Sequence, residues 1–427
     1  MNSIKKIAVI GLGYVGLPLA LLAESKGFEV IGIDLDKKKI DSLNAHKSTI
    51  NEPRINKQII NTKIHFTNKI EGINSLDAVI ICVPTPVDDN KTPDLTPVTN
   101  AVRSLTPHMR NGSLLVIEST INPGVCDEVI IPLIETETSH QVGKTLHIAH
   151  CPERINPGDP KWNVSNINRV LGSNSEVGLN LAYDFYNKLV DANIMKMGTI
   201  KEAEAVKVVE NSFRDINIAF VNELAMSFDK LGINVNNVID GAATKPFAFM
   251  AHYPGIGVGG HCIPVDPYYL IEYARSKGFK HQFLSLARNI NESMPVYAID
   301  RLEEAYILKT GKTLRNASVA VLGLSYKPNV ADDRESPAYK IIDELELKKA
   351  KIVKFDPFYT SKSDTLSAQE ALRKCDSAIL VTGHNEFKNL NIADFTNIKV
   401  LLDGRNIYSE RTKEFNTVNT VYVGLGT

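Results

Sequence analysis

The sequence predicts an α/β protein with two doubly wound parallel sheets, one toward each end of the chain, joined by a long central helix and a helical middle domain. Three observations carry that prediction. Apolar strand-like runs alternate with helix-like segments over residues 1–198. A helical pattern without proline or glycine then runs through residues 199–231. Strand–helix alternation resumes after residue 315. Such alternation is the mark of a parallel sheet covered by helices on both faces. The predicted domains are 1–198, 199–308 and 309–427.

The elements follow in order. Residues 6–10 form a short apolar strand, Gly11-Leu-Gly13-Tyr14-Val15-Gly16 follows at once, and 17–26 read as a helix. The next strand, 28–34, ends on Asp34. Further strands are expected at 78–83, 114–118 and 146–150, with helical segments between them. The stretch 84–97 is rich in proline and aspartate and reads as an ordered surface loop. A helix of about 30 residues at 199–231 would span roughly 45 Å, more than one small domain needs. It is therefore expected to connect domains and to offer a dimer surface. In the last third, Ser318-Val-Ala-Val-Leu-Gly323 echoes the first strand and its glycine turn, and strands are expected at 351–355, 377–381 and 398–402. The chain thus carries a weak internal repeat.

Composition sets bounds on function. At roughly 150 residues per domain, 427 residues allow two or three domains, each with a proper core. A formal net charge of −1 offers no global basic field for nucleic acid. No run of about 20 apolar residues suggests a membrane span. The N-terminal residues enter a strand directly, without a signal-peptide pattern. Cys82, Cys126, Cys151, Cys262 and Cys375 are scattered without paired spacing, which reads as reduced thiols in a cytoplasm.

Gly11, Gly13 and Gly16 have the spacing of a dinucleotide-binding fingerprint, and here the motif follows a strand and opens a helix. Free N–H groups at that helix start suit a pyrophosphate. Asp34 stands where an acid would bond the adenosine ribose and repel a 2′-phosphate, which favours NAD over NADP. This identifies the first domain as Rossmann-like. Thr85, in Val83-Pro84-Thr85-Pro86, and Thr120, in Glu118-Ser-Thr120, follow strands of the same sheet. They are candidate donors to the cofactor, although ordinary turn chemistry explains them nearly as well.

The second candidate site is a thiol at the end of a glycine-rich loop, Pro254-Gly-Ile-Gly-Val-Gly-Gly-His261-Cys262-Ile-Pro-Val-Asp266. Four glycines let the backbone turn tightly and approach a ligand. Buried, inert cysteine is the ordinary alternative and suits Cys82 and Cys375. Cys262 differs in its glycine-rich, polar surroundings, and a thiolate there would trap an aldehyde as a thiohemiacetal. Loss of a second hydride and hydrolysis would then give an acid. Lys207, Asn211 and Arg214 share one face of the long helix, with donors suited to an oxyanion or with nothing more than a solvated polar face. Glu153, in the motif at 151–158, reads equally as a general base or as a loop acid. His252, His261 and Cys262 lack metal-ligand spacing, so no metal is expected.

Together these motifs resemble the nucleotide-sugar dehydrogenases that oxidise UDP-hexoses to UDP-hexuronates. The resemblance also rests on Pro152-Glu-Arg154, Lys207-Val-Val-Glu-Asn211, Gly259-Gly-His-Cys262, Tyr326-Lys327-Pro, Arg334-Glu-Ser and Asp403-Gly-Arg405, in the family's order along nearly the whole chain. It implies a four-electron oxidation at C6 using two NAD and one water. Cys262 would be the nucleophile, Glu153 the base for thioester hydrolysis, Lys207 and Asn211 the oxyanion donors, and Asp266 an aid to water or base chemistry. The cofactor would meet Gly11, Gly13, Tyr14, Val15, Gly16, Asp34, Pro84, Thr85, Thr120 and Arg334. The UDP-sugar would meet Arg154, Arg214, Tyr253, Gly255, Gly257, Gly259, His261, Tyr326, Lys327 and Arg405. The family also implies a C-terminal UDP-binding domain and a homodimer through the central helices. His261 and Val265 depart from the UDP-glucose branch, and the segment Glu210-Asn-Ser-Phe-Arg214 looks like the N-acetylhexosamine branch. Thr244-Lys-Pro-Phe-Ala-Phe249 is similar to the UDP-N-acetylglucosamine enzymes, so UDP-GlcNAc or its C4 epimer is favoured over UDP-N-acetylmannosamine and UDP-glucose. The product would feed surface polysaccharide synthesis. Two other readings compete: a two-electron hydroxyacid dehydrogenase, which needs no thiol, and a non-catalytic NAD-binding regulator.

Overall fold

The computed structural model describes residues 4–50, 52–88, 90–155, 159 and 161–427. The end of the 151–158 motif, at 156–158, and one position of the 84–97 loop, residue 89, lie outside the described residues. The chain divides into two compact units, Met1–Glu210 with Tyr268–Phe279, and Asn211–Pro267 with Lys280–Thr427.

The first unit is built on an eight-stranded sheet of β1 (Lys6–Ile10), β2 (Glu29–Ile33), β3 (His65–Thr67), β4 (Leu76–Ile81), β5 (Met109–Ile117), β6 (Leu146–His150), β7 (Arg169–Ser173) and β8 (Ile194–Lys196). Their order is β3-β2-β1-β4-β5-β6-β7-β8. All neighbours run parallel except β6 and β7. Along β1, Ile7 and Val9 enter one apolar core while Ala8 and Ile10 enter another on the opposite face. That is why the strand reads as an unbroken apolar run: helices cover both sides. The Gly16–Ser25 helix is buried at eight of its ten residues, so it has almost no polar face.

The second unit holds a five-stranded, all-parallel sheet of β9 (Ser318–Leu322), β10 (Lys351–Phe355), β11 (Ser377–Leu380), β12 (Val400–Asp403) and β13 (Val421–Gly424), in the order β10-β9-β11-β12-β13. Val319 and Val321 face one core, Ala320 and Leu322 the other. The Gln282–Thr310 helix lays Met294, Ala298, Ile299 and Leu302 on the first of these faces. It ends at Gly311, whose φ of 71° permits the left-handed cap.

The long helix spans Ile200–Leu231. Its start is tied to the first sheet by Glu204, which accepts from the backbone N–H of Gly124 at 2.5 Å and of Cys126 at 2.8 Å. The expected loop at 84–97 is shorter than its composition suggests, because a helix begins at Thr96 with Pro97 in its first turn, where a missing N–H costs nothing. Among the described residues, no helix is long and apolar enough to cross a membrane, and no group of three or more His, Cys, Asp or Glu could hold a metal ion.

Candidate active site

In the first unit the three glycines of the turn have three different reasons to be glycine. Gly11 has φ of 90°, and a Cβ there would lie 2.6 Å from the Cys82 carbonyl oxygen. At Gly16 a Cβ would lie 2.0 Å from the Gly11 oxygen, so the helix can pack onto the turn only without one. Nothing lies within 4 Å of a Cβ at Gly13. Space left open at that position suits the pyrophosphate of a dinucleotide. Tyr14 and Val15 are half-buried beside it. The Asp34 carboxylate is buried and accepts from Leu12 N–H at 2.8 Å and Asp36 N–H at 3.0 Å, with Lys39 Nζ at 2.7 Å. One acid therefore braces the glycine turn and presents charge at the end of β2. These residues fit NAD.

Pro84 and Thr85 follow β4, and Thr120 follows β5, at the carboxyl edge where open α/β sheets bind ligands. Thr85 Oγ1 donates to the Thr120 carbonyl at 2.7 Å, so the two motifs are fastened to each other. The Tyr269 hydroxyl donates to the Thr85 carbonyl.

Beneath this edge lies a buried polar cluster. Glu153 Oε1 accepts from the backbone N–H of Arg154 at 2.6 Å and Ile155 at 2.9 Å, while Oε2 stands 2.7 Å from Arg169 Nη1. Arg169 is wholly buried, with Glu118 3.9 Å from the same nitrogen. Burial pushes the Glu118 carboxyl up to about 7, against the pull of Arg169 and the Tyr186 hydroxyl that donates to it. Burial likewise raises the thiols of Cys82 and Cys151, which makes them poor nucleophiles. Arg169 and Tyr186 escape sequence reasoning because an arginine opening an apolar strand looks like a strand boundary, and both its partners are remote in sequence. Glu118 was within reach, being a carboxylate directly after an apolar strand. Arg154 pairs with Glu210 and donates to the Asn168 carbonyl at 3.1 Å. Lys207 is half-buried and forms no ion pair among the described residues.

The second unit carries the thiol. Cys262 is half-buried, and its carbonyl accepts from the N–H of Val265 at 3.1 Å and of Asp266 at 2.8 Å, the turn that opens the Asp266–Ser276 helix. Asp266 is buried and takes a 2.5 Å hydrogen bond from Asn211 Nδ2. Arg214 and His261 are exposed. The glycine loop is packed rather than free. A Cβ at Gly255 would lie 2.5 Å from Arg405 Nη1, and one at Gly259 would lie 2.7 Å from Tyr326 Cβ. Gly260, at φ 84°, sits against the Tyr326 ring, and Gly257, at φ 110°, against Pro337 and Pro295. These glycines are demanded first by packing against the chain itself. Arg405 is held by Nε to the Val381 carbonyl at 2.8 Å. Arg334 forms a 2.5 Å ion pair with Asp332, and its carbonyl accepts from Gly260 N–H at 3.0 Å. Lys327 is half-buried, and Tyr253, exposed, donates to Asp240 at 2.6 Å.

A glycine turn that opens a helix, braced by an acid at the end of the next strand, defines an NAD-binding dehydrogenase domain, and comparison with known proteins places it. The UDP-glucose/GDP-mannose dehydrogenase family matches throughout: its NAD binding domain over residues 5–190, its central domain over 201–293 and its UDP binding domain over 320–410. The chain belongs to that family and is an NAD-dependent nucleotide-sugar dehydrogenase. It is 36% identical over 412 residues to a UDP-N-acetyl-D-mannosamine dehydrogenase of Pyrococcus horikoshii, covering 95% of this chain and 96% of that protein. It is 35% identical over 398 residues to a UDP-N-acetyl-D-glucosamine 6-dehydrogenase of Pseudomonas aeruginosa, covering 90% and 92%. The solved structure of a UDP-D-ManNAc dehydrogenase from Pyrococcus horikoshii superposes with a TM-score of 0.92 at 35% identity over 99% of each chain.

Proposed function

We propose that the protein oxidises the C6 hydroxymethyl of a UDP-N-acetylhexosamine, UDP-GlcNAc or UDP-GalNAc, to the UDP-hexuronate in four electrons. The observation that carries this reading is Cys262, at the end of a packed glycine loop and one turn from the Asn211–Asp266 pair. NAD, when bound, accepts one hydride at each of the two oxidations. Gly11, Gly13, Tyr14, Val15, Gly16, Asp34, Pro84, Thr85, Thr120 and Arg334 would hold it. The alcohol loses its proton and a hydride to give the aldehyde. Cys262 Sγ adds to that carbonyl and forms the thiohemiacetal, whose oxyanion Lys207 and Asn211 stabilise. Loss of the second hydride leaves a thioester. Glu153 takes a proton from water, which attacks the thioester, and the acid departs as the C–S bond breaks and Cys262 is restored. Asp266 orients Asn211 for this work. Arg154, Arg214, Tyr253, Gly255, Gly257, Gly259, His261, Tyr326, Lys327 and Arg405 would hold the UDP-sugar.

The division at 1–198, 199–308 and 309–427 belongs to this reading, with cofactor, thiol and nucleotide assigned in turn. A homodimer through the long helix belongs to it too. Val209, Phe213 and Phe220 are each at least half exposed along that helix, which favours a covered face. Cytoplasmic location and a place in surface polysaccharide synthesis complete it.

UDP-N-acetylmannosamine is the second reading, because a relative named for that sugar is 36% identical to this chain and one named for UDP-GlcNAc is 35% identical. Assaying UDP-GlcNAc, UDP-GalNAc, UDP-ManNAc and UDP-glucose side by side tests both. Two NADH per UDP-GlcNAc or UDP-GalNAc consumed is expected. One NADH with free aldehyde would end the four-electron scheme, and turnover of UDP-ManNAc alone would decide for the second reading. Cys262→Ala should lose at least about a thousandfold in turnover while NAD binding stays unchanged.

A further inference from the structure

A buried chain of hydrogen bonds runs through the second unit and ends on the glycine loop. The Gly255 N–H donates to Asn222 Oδ1 at 2.9 Å. Asn222 Nδ2 donates to Asn291 Oδ1 at 2.8 Å. Asn291 Nδ2 donates to Asp215 Oδ1 at 2.8 Å and to the Asp215 carbonyl at 3.0 Å. Arg288 Nη1 closes the chain on Asp215 Oδ1 at 2.6 Å. Asp215 and Asn222 stand on the long helix, Arg288 and Asn291 on the Gln282–Thr310 helix, and none of the four is more than 3% exposed.

The direction of the chain is forced from both ends. A backbone N–H can only donate, and a carboxylate facing a guanidinium can only accept. Asn291 must therefore turn its NH2 to Asp215 and its oxygen to Asn222. Asn222 must then turn its own oxygen to Gly255. Neither amide can flip without setting two acceptors or two donors face to face.

Such a chain is an expensive way to hold two helices together. Burying a charge pair and two amides costs desolvation that apolar side chains of similar size would not incur. What apolar residues could not do is hold one backbone N–H at one position. Gly255 is the residue whose missing side chain leaves room for Arg405, and Ile256 beside it is fully buried in the core of the second sheet. Gly259 and Gly260 pin the far end of the same loop to Tyr326 and Arg334, two residues before Cys262.

We propose that Asn222, oriented through Asn291 by Asp215, is a positioning residue. It fixes the start of the glycine loop, and so sets both the wall that Arg405 shares with the nucleotide and the placement of the Cys262 thiol. The nucleotide half of this inference rests on the function proposed above. The thiol half does not.

The test replaces Asn222 with leucine, which keeps the volume and removes the acceptor. Three quantities are compared with the wild type: UDP affinity by calorimetry, NAD affinity by the same method, and the rate at which iodoacetamide alkylates Cys262, followed by mass spectrometry of its peptide. Expected are UDP binding at least about tenfold weaker, a Cys262 alkylation rate changed at least about threefold, and NAD affinity within twofold. A purely structural role would lower thermal stability and leave UDP affinity and thiol reactivity of the folded protein unchanged, which overturns the inference. If wild-type protein fails to bind UDP, the functional reading is wrong, and alkylation alone decides the inference. If Asn222→Leu does not fold, Asn222→Asp keeps an acceptor for Gly255 and disturbs only the bond to Asn291. It should shift the same two quantities less, and wild-type values in that variant overturn the inference.

Discussion

The two sheets begin with the same device and finish it differently. After β1, Gly11 N–H donates to the Ile33 carbonyl at 2.8 Å, and Leu12 N–H donates to the Asp34 carboxylate at 2.8 Å. After β9, Gly323 N–H donates to the Phe355 carbonyl at 2.8 Å, and Leu324 N–H donates to the Asp356 carboxylate at 2.6 Å. Both glycines have φ above 85°, and both lie against the strand-end backbone of the neighbouring strand. There the likeness stops. The first turn runs straight into a helix at Gly16, with open space beside Gly13. The second leads into Tyr326-Lys-Pro, and no helix starts until Pro337. Asp356 is fully buried and saturated, accepting from Leu324, Ser325 N–H and Oγ, Phe358 and the ring of His384. Burial alone would raise its carboxyl, but His384 and those backbone N–H groups hold it well below the usual carboxylate range. A dinucleotide site is thus more than a glycine turn with an acid. It needs a helix start and a carboxylate with bonding capacity left over.

The sharpest way to break this contrast is to remove each acid in turn. Asp356→Ala leaves His384 and several backbone N–H groups buried without an acceptor, and should cost about 3–5 kcal/mol of stability. NAD affinity should stay within twofold. Asp34→Ala should instead weaken NAD by about ten- to a hundredfold, the worth of a charge-assisted bond. Urea unfolding and calorimetric NAD titration of both variants check this. If Asp356→Ala weakened NAD more than Asp34→Ala, the two turns would not have diverged as argued.

Buried histidines extend the comparison. His384 is satisfied on both ring nitrogens, by Asp356 at 3.1 Å and Asn329 N–H at 2.9 Å. In the first sheet His150, at the end of β6, has no carboxylate to match among the described residues. Burial pushes it down to about 3, with the Ile117 carbonyl opposing weakly. The folded state therefore holds this ring neutral, whereas the unfolded chain protonates it near pH 6.5. Its contribution to stability is complete above pH 6.5 and is lost as the pH falls toward 3, up to about 4 kcal/mol. His150→Leu should flatten acid unfolding, followed by circular dichroism between pH 7 and 3. An unchanged slope would mean that His150 carries no such load.

What could be read from the chain beforehand follows the same division between local and distant causes. The strands 146–150 and 351–355 were legible to the residue, because an apolar run bounded by turns is a local signal. The long helix, which lacks any internal proline or glycine, was legible to within one residue at its start. The three-residue strands β3 and β8 were missed, being too short to show a period. So was β7, whose first residue is the buried Arg169. The glycine turn stood out through its spacing, and Cys262 as a candidate through the glycine-rich, polar loop that precedes it. The clamp on Glu153 and the Asn222 chain did not, since Arg169 lies 16 residues from Glu153 and Asn291 lies 69 from Asn222. Glycine spacing also proved ambiguous in kind: the loop before Cys262 needs its glycines to pack against Arg405, Tyr326 and Pro337.

The smallest expected effect isolates the open position itself. At Gly13 a methyl group would touch nothing within 4 Å, and its φ is not in the left-handed range, so Gly13→Ala should leave stability unchanged or raise it by about 0.5 kcal/mol through the unfolded chain. Any loss of NAD affinity in that variant must come from the space it fills. A weakening of about three- to tenfold is expected. Gly323→Ala, at φ 98° and with its Cβ 2.8 Å from the Thr382 backbone nitrogen, should do the opposite. It should lose about 1–3 kcal/mol of stability to strain and leave NAD untouched. If Gly13→Ala bound NAD normally, the gap beside the first turn would not be where the pyrophosphate lies. The remaining difference between the two turns would then rest on the helix start and Asp34 alone.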